Sequence, residues 1–539
     1  MAEKIKVSEA MVECLKAEGI KVVFGYPGAA ICPFYDELYK SNIKSVLVRH
    51  EVNGGHAANG YARISGKPAV CIATSGPGAT NLLTAIATAY ADSIPIVCIT
   101  GQVNSEQIGS DAFQEADITG SAAPFIKHTY LVKDGSMIGR IFKEAFYIAG
   151  SGRPGPVLID VPMDVQNEMI EFSYPKSAVI RSYKPTSKGN ALQVKRVVKE
   201  IKNAKKPLLC VGGGVFLSNA KKEVRELSER FDLPVVSTMM GISVFESDDE
   251  RFFGMLGMHG SKTANRAVSE CDVLLLVGAR VGDRAISNPA IIEKNKRIIH
   301  IDIDPAEIGK NITADIPLVG DVKTVVLQIL KDAPQLSHSD WISEIKGFDK
   351  QSDNKKIKEG KIDPKEFLSR LSEVMGENTH VVADVGQNQI WTATHYKMKK
   401  GRFLTSGGMG TMGYAVPAAI GAKLADEKSE VLAICGDGSF QMSFMELATA
   451  VQHGADIKVI VMKNNYLGMV REVQDKAYGG RFIAVSLEGS PDFIKLAAAY
   501  GINGVRVNDE KSMTEAFELL KKNTPCVIEC VVDDFESTL

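Results

Sequence analysis

Short runs rich in β-branched residues, each followed by an amphipathic stretch, recur from one end of this 539-residue chain to the other: KVVFGYPG, AVCIATSGPGATNLLTAIATAYAD, IPIVCITG, PLLCVGGG, DVLLLVGAR, RIIHIDID, VLAICGDG and IKVIVMKNN. Runs apolar on both faces suit strands covered on both sides, and the helical stretches between them return the chain to lay the next strand in parallel. This rhythm predicts an α/β chain of doubly wound parallel sheets. The length suits about three domains. Two polar, lysine-rich stretches, 183–207 and 348–367, read as linkers and divide the chain into 1–185, 190–340 and 360–539. A solvated helix face inside one domain is an equally open reading of either stretch alone.

The formal net charge is −2 with acids and bases interspersed, which leaves no basic field for nucleic acid and no polybasic membrane patch. Small-molecule chemistry is the expectation. Nine cysteines occur without a CxxC pair, and Cys71, Cys98, Cys210 and Cys435 lie in apolar, strand-like runs that suit buried, reduced thiols and a cytoplasmic protein. The N-terminal MAEKIKVSEAMVECLKAEGI alternates charges with apolar residues at helical spacing and lacks the apolar core of a signal peptide or membrane span.

In VLAICGDGSFQMS, Asp437 ends an apolar run between Gly436 and Gly438, with Ser439 next. A helical stretch with Phe444, Leu447, Ala448 and Val451 follows, stopped by Gly454, and then the strand IKVIVM ends in KNNYLGM. Asp437 and Asn464 are 464 − 437 = 27 residues apart, one strand-to-strand crossover. Both side chains then emerge at the carboxyl edge of one sheet, where open α/β folds bind ligands. A carboxylate and an amide oxygen there are hard ligands suited to Mg²⁺ or Ca²⁺, and bare glycines let a phosphate approach the backbone. A lone Gly-Asp-Gly is more often a plain turn; the asparagine at crossover distance is what lifts it above one.

GDG followed by an asparagine at this interval resembles the thiamine diphosphate binding motif. That resemblance implies that Asp437, Asn464 and the carbonyl of Tyr466 hold the Mg²⁺ that clamps the diphosphate, beside Gly438 and Ser439. At the other end of the chain, VLVRHEVNGGHAANGYARISGK places Glu51 after an apolar strand. Alone it reads as a surface or helix-capping glutamate. In the family a glutamate here contacts N1′ of the aminopyrimidine, a task needing proton exchange near neutral pH, which burial favours.

Around it GYPGAAICPFYDEL, TSGPGATN, ADSIPIVCITGQV, GSDAFQEADITG, GMLGMHG and SGGMGTMGYAVPAAIGAK resemble, in order and over nearly the whole chain, the large catalytic subunits of acetohydroxyacid synthase (acetolactate synthase). The resemblance implies three similar α/β domains: a pyrimidine-binding domain with Glu51, a central domain and a diphosphate-binding domain with Asp437. It implies decarboxylation of pyruvate and condensation with a second 2-oxoacid to give 2-acetolactate or 2-aceto-2-hydroxybutyrate, the first common step of branched-chain amino acid biosynthesis. The implied partners are a second copy in a homodimer or homotetramer, the cofactor lying between the first domain of one subunit and the last of another, and a small regulatory subunit.

Carried over residue by residue, Met412 matches the apolar residue that wedges the cofactor into its bent shape, and the Gly410 carbonyl the acceptor of the 4′-amino group. Gln114 and Phe113 match residues facing the reacting carbon, and Gly28 and Ala29 the loop whose backbone approaches it. Gln387 matches a diphosphate contact, and Arg284 the arginine that meets the second substrate's carboxylate. In the central domain VGGGVF, HGSKTAN, GARVGDR and HIDIDP resemble FAD-binding stretches. Gly213, Gly214, Asp302 and Asp321 are the residues implied there.

Four features depart from that pattern. Val473 stands where the family usually has tryptophan, Met163 where it has lysine and Gly282 where it has aspartate, and the chain stops at DDFESTL, short of the tail that helps close the site in relatives. They bear on acceptor choice and site closure. A flavin-free catabolic acetolactate synthase and another thiamine diphosphate-dependent 2-oxoacid decarboxylase or oxidase are the neighbouring readings. A nucleotide-binding dehydrogenase or a catalytically silent binding partner leaves the coexistence of Glu51, Asp437 and Asn464 unexplained.

Overall fold

The computed structural model describes residues 4–286, 288–348 and 358–538, without the side chain of Ile291. The first sheet holds β1 (Val22–Tyr26), β2 (Lys44–Leu47), β3 (Ala69–Ala73), β4 (Ile96–Gln102), β5 (His128–Leu131) and β6 (Val157–Pro162), in the order β2-β1-β3-β4-β6-β5. The second holds β7 (Pro207–Val211), β8 (Val235–Ser237), β9 (Phe252–Met255), β10 (Val273–Val277), β11 (Arg297–Asp302) and β12 (Ile316–Val319), in the order β9-β8-β7-β10-β11-β12. The third holds β13 (His380–Ala383), β14 (Phe403–Thr405), β15 (Val431–Gly436), β16 (Ile457–Lys463), β17 (Asn503–Val507) and β18 (Cys526–Val531), in the order β14-β13-β15-β16-β18-β17.

All pairings within the three are parallel, as the continuous apolar runs require. The first and third sheets share one strand order, whereas the middle one has the order of dinucleotide-binding folds. Eight of the nine cysteines are buried free thiols, Cys32 being exposed. No helix among the described residues is long and apolar enough to cross a membrane.

Five helices matter below: α1 (Glu51–Ser65), α2 (Ala191–Asn203), α3 (Ala415–Ala425), α4 (Leu447–His453) and α5 (Gly468–Tyr478). α2 corrects the first expected linker. Its start is capped by the Asn190 side chain, and Val194, Val197 and Ile201 bury against the second sheet while the lysines line its other face. Of the second expected linker, 349–357 lie outside the described residues, and from Pro364 onward the chain is a helix burying Phe367, Leu368 and Leu371. The expected apolar face around α4 is also revised. A 3₁₀ turn over Phe444–Glu446 shifts the phase, so that Leu447, Thr449 and Ala450 are buried and Val451 is exposed. Gly454 ends α4 in the left-handed region, φ 66°.

α1 and α3 cross with their backbones in contact. A Cβ on Gly60 would overlap the carbonyl of Ala418, and one on Gly421 the carbonyl of Ala57. The Tyr414 hydroxyl donates to Asn59 Oδ1 at 2.8 Å, so residue numbers rise along α1 as they fall along α3 and the two helices run antiparallel. Beside the crossing, Arg63 and Asp92 form a buried ion pair of 2.7 Å. This contact joins the first module to the third.

Candidate active site

In sheets with this strand order, the crevice beyond the carboxyl ends opens where the chain reverses its direction of addition. In the third sheet that point lies between β13 and β15, which are followed directly by Asp384 and Asp437. Asp437 opens a helical turn, with Ser439 Oγ accepting the Gly436 amide at 3.1 Å and fixing the turn. One Asp437 oxygen accepts from Asn465 N at 2.7 Å and the other from Gly438 N at 3.0 Å. Burial lifts this carboxyl to about 6, against those amides, which favour its charged form.

Asp437 is 1% exposed and has no ion-pair partner among the described residues. A carboxylate left so is costly to bury, and a cation would relieve it. Asn464 emerges from β16 beside it, 5% exposed, and the carbonyl of Tyr466 accepts no hydrogen bond among the described residues. The donor set therefore fits a divalent cation bound by hard oxygens. No group of three or more His, Cys, Asp or Glu able to hold a metal occurs among the described residues.

Gln387 follows β13 and joins this edge, its Oε1 accepting from Asn464 Nδ2 at 2.8 Å. Its own amide donates to the Glu536 carbonyl at 2.7 Å and to Glu472. Met412 Cε lies 3.6 Å from where a Cβ on Gly438 would stand, and Leu467 Cδ2 lies 2.9 Å from it, so a side chain there would displace the Leu467 side chain. Asp437, Gly438, Ser439, Asn464, Tyr466, Gln387 and Met412 thus gather at one place. Gly410 reaches the same turn with φ +70° and open space where a Cβ would be.

The second gathering is at the equivalent point of the first sheet, beyond β1 and β3. Glu51 opens α1, accepts from Asn81 Nδ2 at 3.0 Å and keeps 13% of its side chain exposed. Gly78 lets that carboxylate approach, since a Cβ there would lie 3.3 Å from Glu51 Oε1. Gly28 is bare because Thr74 sits 2.6 Å from its would-be Cβ, and Ala29 beside it is exposed. Gln114, at φ 61°, crosses over Gly76, and its neighbour Phe113 is 89% exposed. Gln102 donates to Ala116 O at 2.8 Å and to Asp160 at 2.9 Å, anchoring the loop that carries Gln114.

These two gatherings do not face each other across the α1–α3 crossing. Asn59 meets Tyr414, two residues from Met412, whereas Glu51 lies eight residues back along α1, about 12 Å away. That end of α1 is held by Glu446, which accepts from Arg49 N at 2.8 Å and Asn53 Nδ2 at 2.9 Å.

Arg284 is largely exposed, with Met258 Sδ 3.4 Å from its Nη1. Burial pushes the His259 imidazole down, and Val473 on α5 is half-exposed. A Cβ on Gly282 meets nothing within 4 Å, so the chain has room for a side chain there.

In the second sheet the crevice lies between β7 and β10. Gly212 and Gly214 pack on the backbone of Gly278 and Ala279, and a Cβ on Gly213 would lie 3.2 Å from Met240 Cβ. Asp302 ends β11, its carboxyl pushed up to about 6 by burial. Asp321 is engaged as the cap of the next helix, accepting from Thr324 N at 3.0 Å and Ser218 Oγ at 2.6 Å. The Ser237 hydroxyl and both His300 ring nitrogens are buried without partners among the described residues.

Asp384, Asn388, Glu446 and Glu472 were not singled out from the sequence. The one signal was DVG after a strand, the same acid-then-glycine pattern as around Asp437.

Comparison with known proteins accords with this layout. Three family descriptions match in order: thiamine pyrophosphate enzyme, N-terminal TPP binding domain, over residues 5–121; central domain, over 194–329; and C-terminal TPP binding domain, over 384–530. A probable acetolactate synthase large subunit of Methanocaldococcus jannaschii is 44% identical over 99% of this chain and 93% of the relative. An acetolactate synthase large subunit of Cyanidium caldarium is 42% identical over 98% and 93%, and one of Haemophilus influenzae 41% identical over 99% and 96%. With all three modules present in sequence and such likeness from end to end, the chain belongs to the acetolactate synthase large-subunit family of thiamine pyrophosphate enzymes.

Proposed function

We infer that this chain is a thiamine diphosphate-dependent acetolactate synthase that decarboxylates pyruvate and joins the two-carbon unit to a second 2-oxoacid, giving 2-acetolactate or 2-aceto-2-hydroxybutyrate and carbon dioxide. The observation that carries the site assignment is the buried Asp437, without an ion-pair partner among the described residues, beside Asn464 and a Tyr466 carbonyl that accepts no hydrogen bond among them. These three would hold Mg²⁺ against the diphosphate, with Gln387, Gly438 and Ser439 around it. When bound, thiamine diphosphate supplies the electron sink for the pair released as carbon dioxide leaves.

The protein's part is placement and proton handling. With the cofactor bound, Glu51 would exchange a proton with N1′ of the aminopyrimidine, the Gly410 carbonyl would accept from its 4′-amino group, and Met412 would pack against it. Gln114, Phe113, Gly28 and Ala29 close on the reacting carbon from the first module. The Arg284 guanidinium suits the carboxylate of the second 2-oxoacid, and Val473 bounds its side chain.

Since Glu51 and Met412 lie toward opposite ends of the α1–α3 crossing, the complete site draws Glu51 from one copy and Asp437 from another, in a homodimer or homotetramer. The relatives' designation as large subunits supports a small regulatory subunit as a further partner. FAD belongs to the proposal for the middle module: its strand order, the bare Gly213 and the orphaned Ser237 and His300 beside Asp302 fit a nucleotide at the crevice. The deciding experiment follows carbon dioxide release and acetolactate formation from pyruvate with and without thiamine diphosphate, Mg²⁺ and FAD. Turnover requiring the first two supports the reading, turnover unchanged without FAD removes the flavin, and no acetolactate with any combination overturns it.

A further inference from the structure

We propose that Asp384 is a positioning residue for the reaction: its carboxylate holds the 410–415 turn so that the Gly410 carbonyl and the Met412 side chain stand at fixed places over the Asp437 edge. The inference rests on the thiamine diphosphate reading above. Asp384 follows β13 and is fully buried. Its Oδ1 accepts from Val385 N at 2.9 Å and Gly413 N at 3.0 Å, and its Oδ2 accepts from Ala415 N at 2.8 Å. It has no ion-pair partner among the described residues, and all of these hydrogen bonds are to backbone amides. Such a group defines where a turn lies rather than neutralising a charge.

The segment it holds is slung between two carboxylates. Upstream, Asp92 accepts from Gly407 N at 3.2 Å and Gly408 N at 2.7 Å, and downstream Asp384 takes Gly413 and Ala415. Between these anchors Met409 and Gly410 are exposed and Thr411 and Met412 half-buried, with Thr411 tied to Ser406 Oγ at 3.0 Å and to Thr88 Oγ1 at 2.7 Å. Gly410 and Gly413 have φ of 70° and 83°, so the path is one that side chains resist and outside anchors must hold. Asn388 Nδ2 donates to Asp384 O at 2.8 Å and Ile434 O at 3.1 Å, coupling the ends of β13 and β15. The carboxylate therefore registers the Met412 turn to the strand that presents Asp437.

The test uses the full-length protein loaded with thiamine diphosphate and Mg²⁺. Asp384→Asn keeps the shape but sets an amide donor against a backbone amide. Asp384→Ser, the second variant, leaves a hydroxyl acceptor and room for water. The rate at which the cofactor C2 proton exchanges into deuterium oxide is measured by NMR on acid-quenched samples, and cofactor affinity by calorimetry. Each variant should slow exchange roughly tenfold or more while Kd stays within about threefold, since the diphosphate is held elsewhere. Combined with Met412→Ala, the loss should be smaller than the product of the single losses. Exchange at the wild-type rate, a Kd rising in step with the loss, full multiplicativity, or failure of both variants to fold would each overturn the assignment. Failure of the wild type itself to bind the cofactor would instead overturn the functional reading.

Discussion

At the residue scale, the proposed function rests its chemistry on two acids, Glu51 and Asp437, and a third reports on burial. Glu51→Gln should cut turnover by about a hundredfold or more while leaving cofactor affinity nearly unchanged, because only proton exchange at N1′ is lost. Steady-state rates and calorimetry check this, and near wild-type turnover would remove Glu51 from the mechanism. Asp437→Ala should abolish Mg²⁺-dependent cofactor binding; unchanged affinity by calorimetry would refute the metal assignment. Asp160 accepts from Thr100 Oγ1 and Gln102, and burial raises its carboxyl from 3.8 to about 7. Between those values the folded chain binds the proton that the unfolded chain has released, so rising pH removes stability across that window and no more above it. Asp160→Asn cannot ionise. Its melting temperature relative to wild type should therefore climb from about pH 4 to about pH 7 and level off above, and a flat difference across that range would show that the carboxyl is not held protonated. Asp437 and Asn464 were legible in the sequence because one crossover fixes their spacing. Asp384 was not: besides the adjacent Val385, its amide partners lie 29 and 31 residues on, brought there only by folding.

At the scale of elements, the apolar runs gave the parallel strands, since a strand buried on both faces has little choice of neighbour. The lysine-rich stretch at 191–203 misled for a related reason: three apolar residues at helical spacing suffice to seat α2, and composition outweighed spacing in reading it as a linker. The small residues of α1 and α3 gave no hint that the two helices touch. Alanine normally suits a helix better than glycine by about 1 kcal/mol. At Gly421 the sign should reverse, because the Cβ overlaps the Ala57 carbonyl; Gly421→Ala should destabilise by about 1 to 3 kcal/mol or more in denaturant unfolding. A neutral or stabilising result would mean that the helices part without strain.

At the scale of the whole molecule, the strand orders of the sheets were beyond sequence patterning, because they depend on which edges meet. If the site is shared between copies, mixing inactive Glu51→Gln and Asp437→Ala proteins under exchange should restore activity, since one site of each hybrid dimer receives both intact acids. Mixtures that stay inactive despite confirmed hybrids would place the site within one chain. Val473 sits half-exposed on α5 and is too short to cover the extra methyl group of 2-oxobutyrate, a contact worth about 1 to 3 kcal/mol in a fitted pocket. Little preference for 2-oxobutyrate over pyruvate should follow, and Val473→Trp should raise the acetohydroxybutyrate share in competition assays. A strong preference in the wild type would show that other side chains fill the pocket. The α1–α3 crossing also sets a clock. Where backbones meet with no side chain between them, water enters only when the two modules part, so amide deuteration of Ala57–Gly60 and Ala418–Gly421 should be among the slowest in the protein and should report separation of the first module from the third.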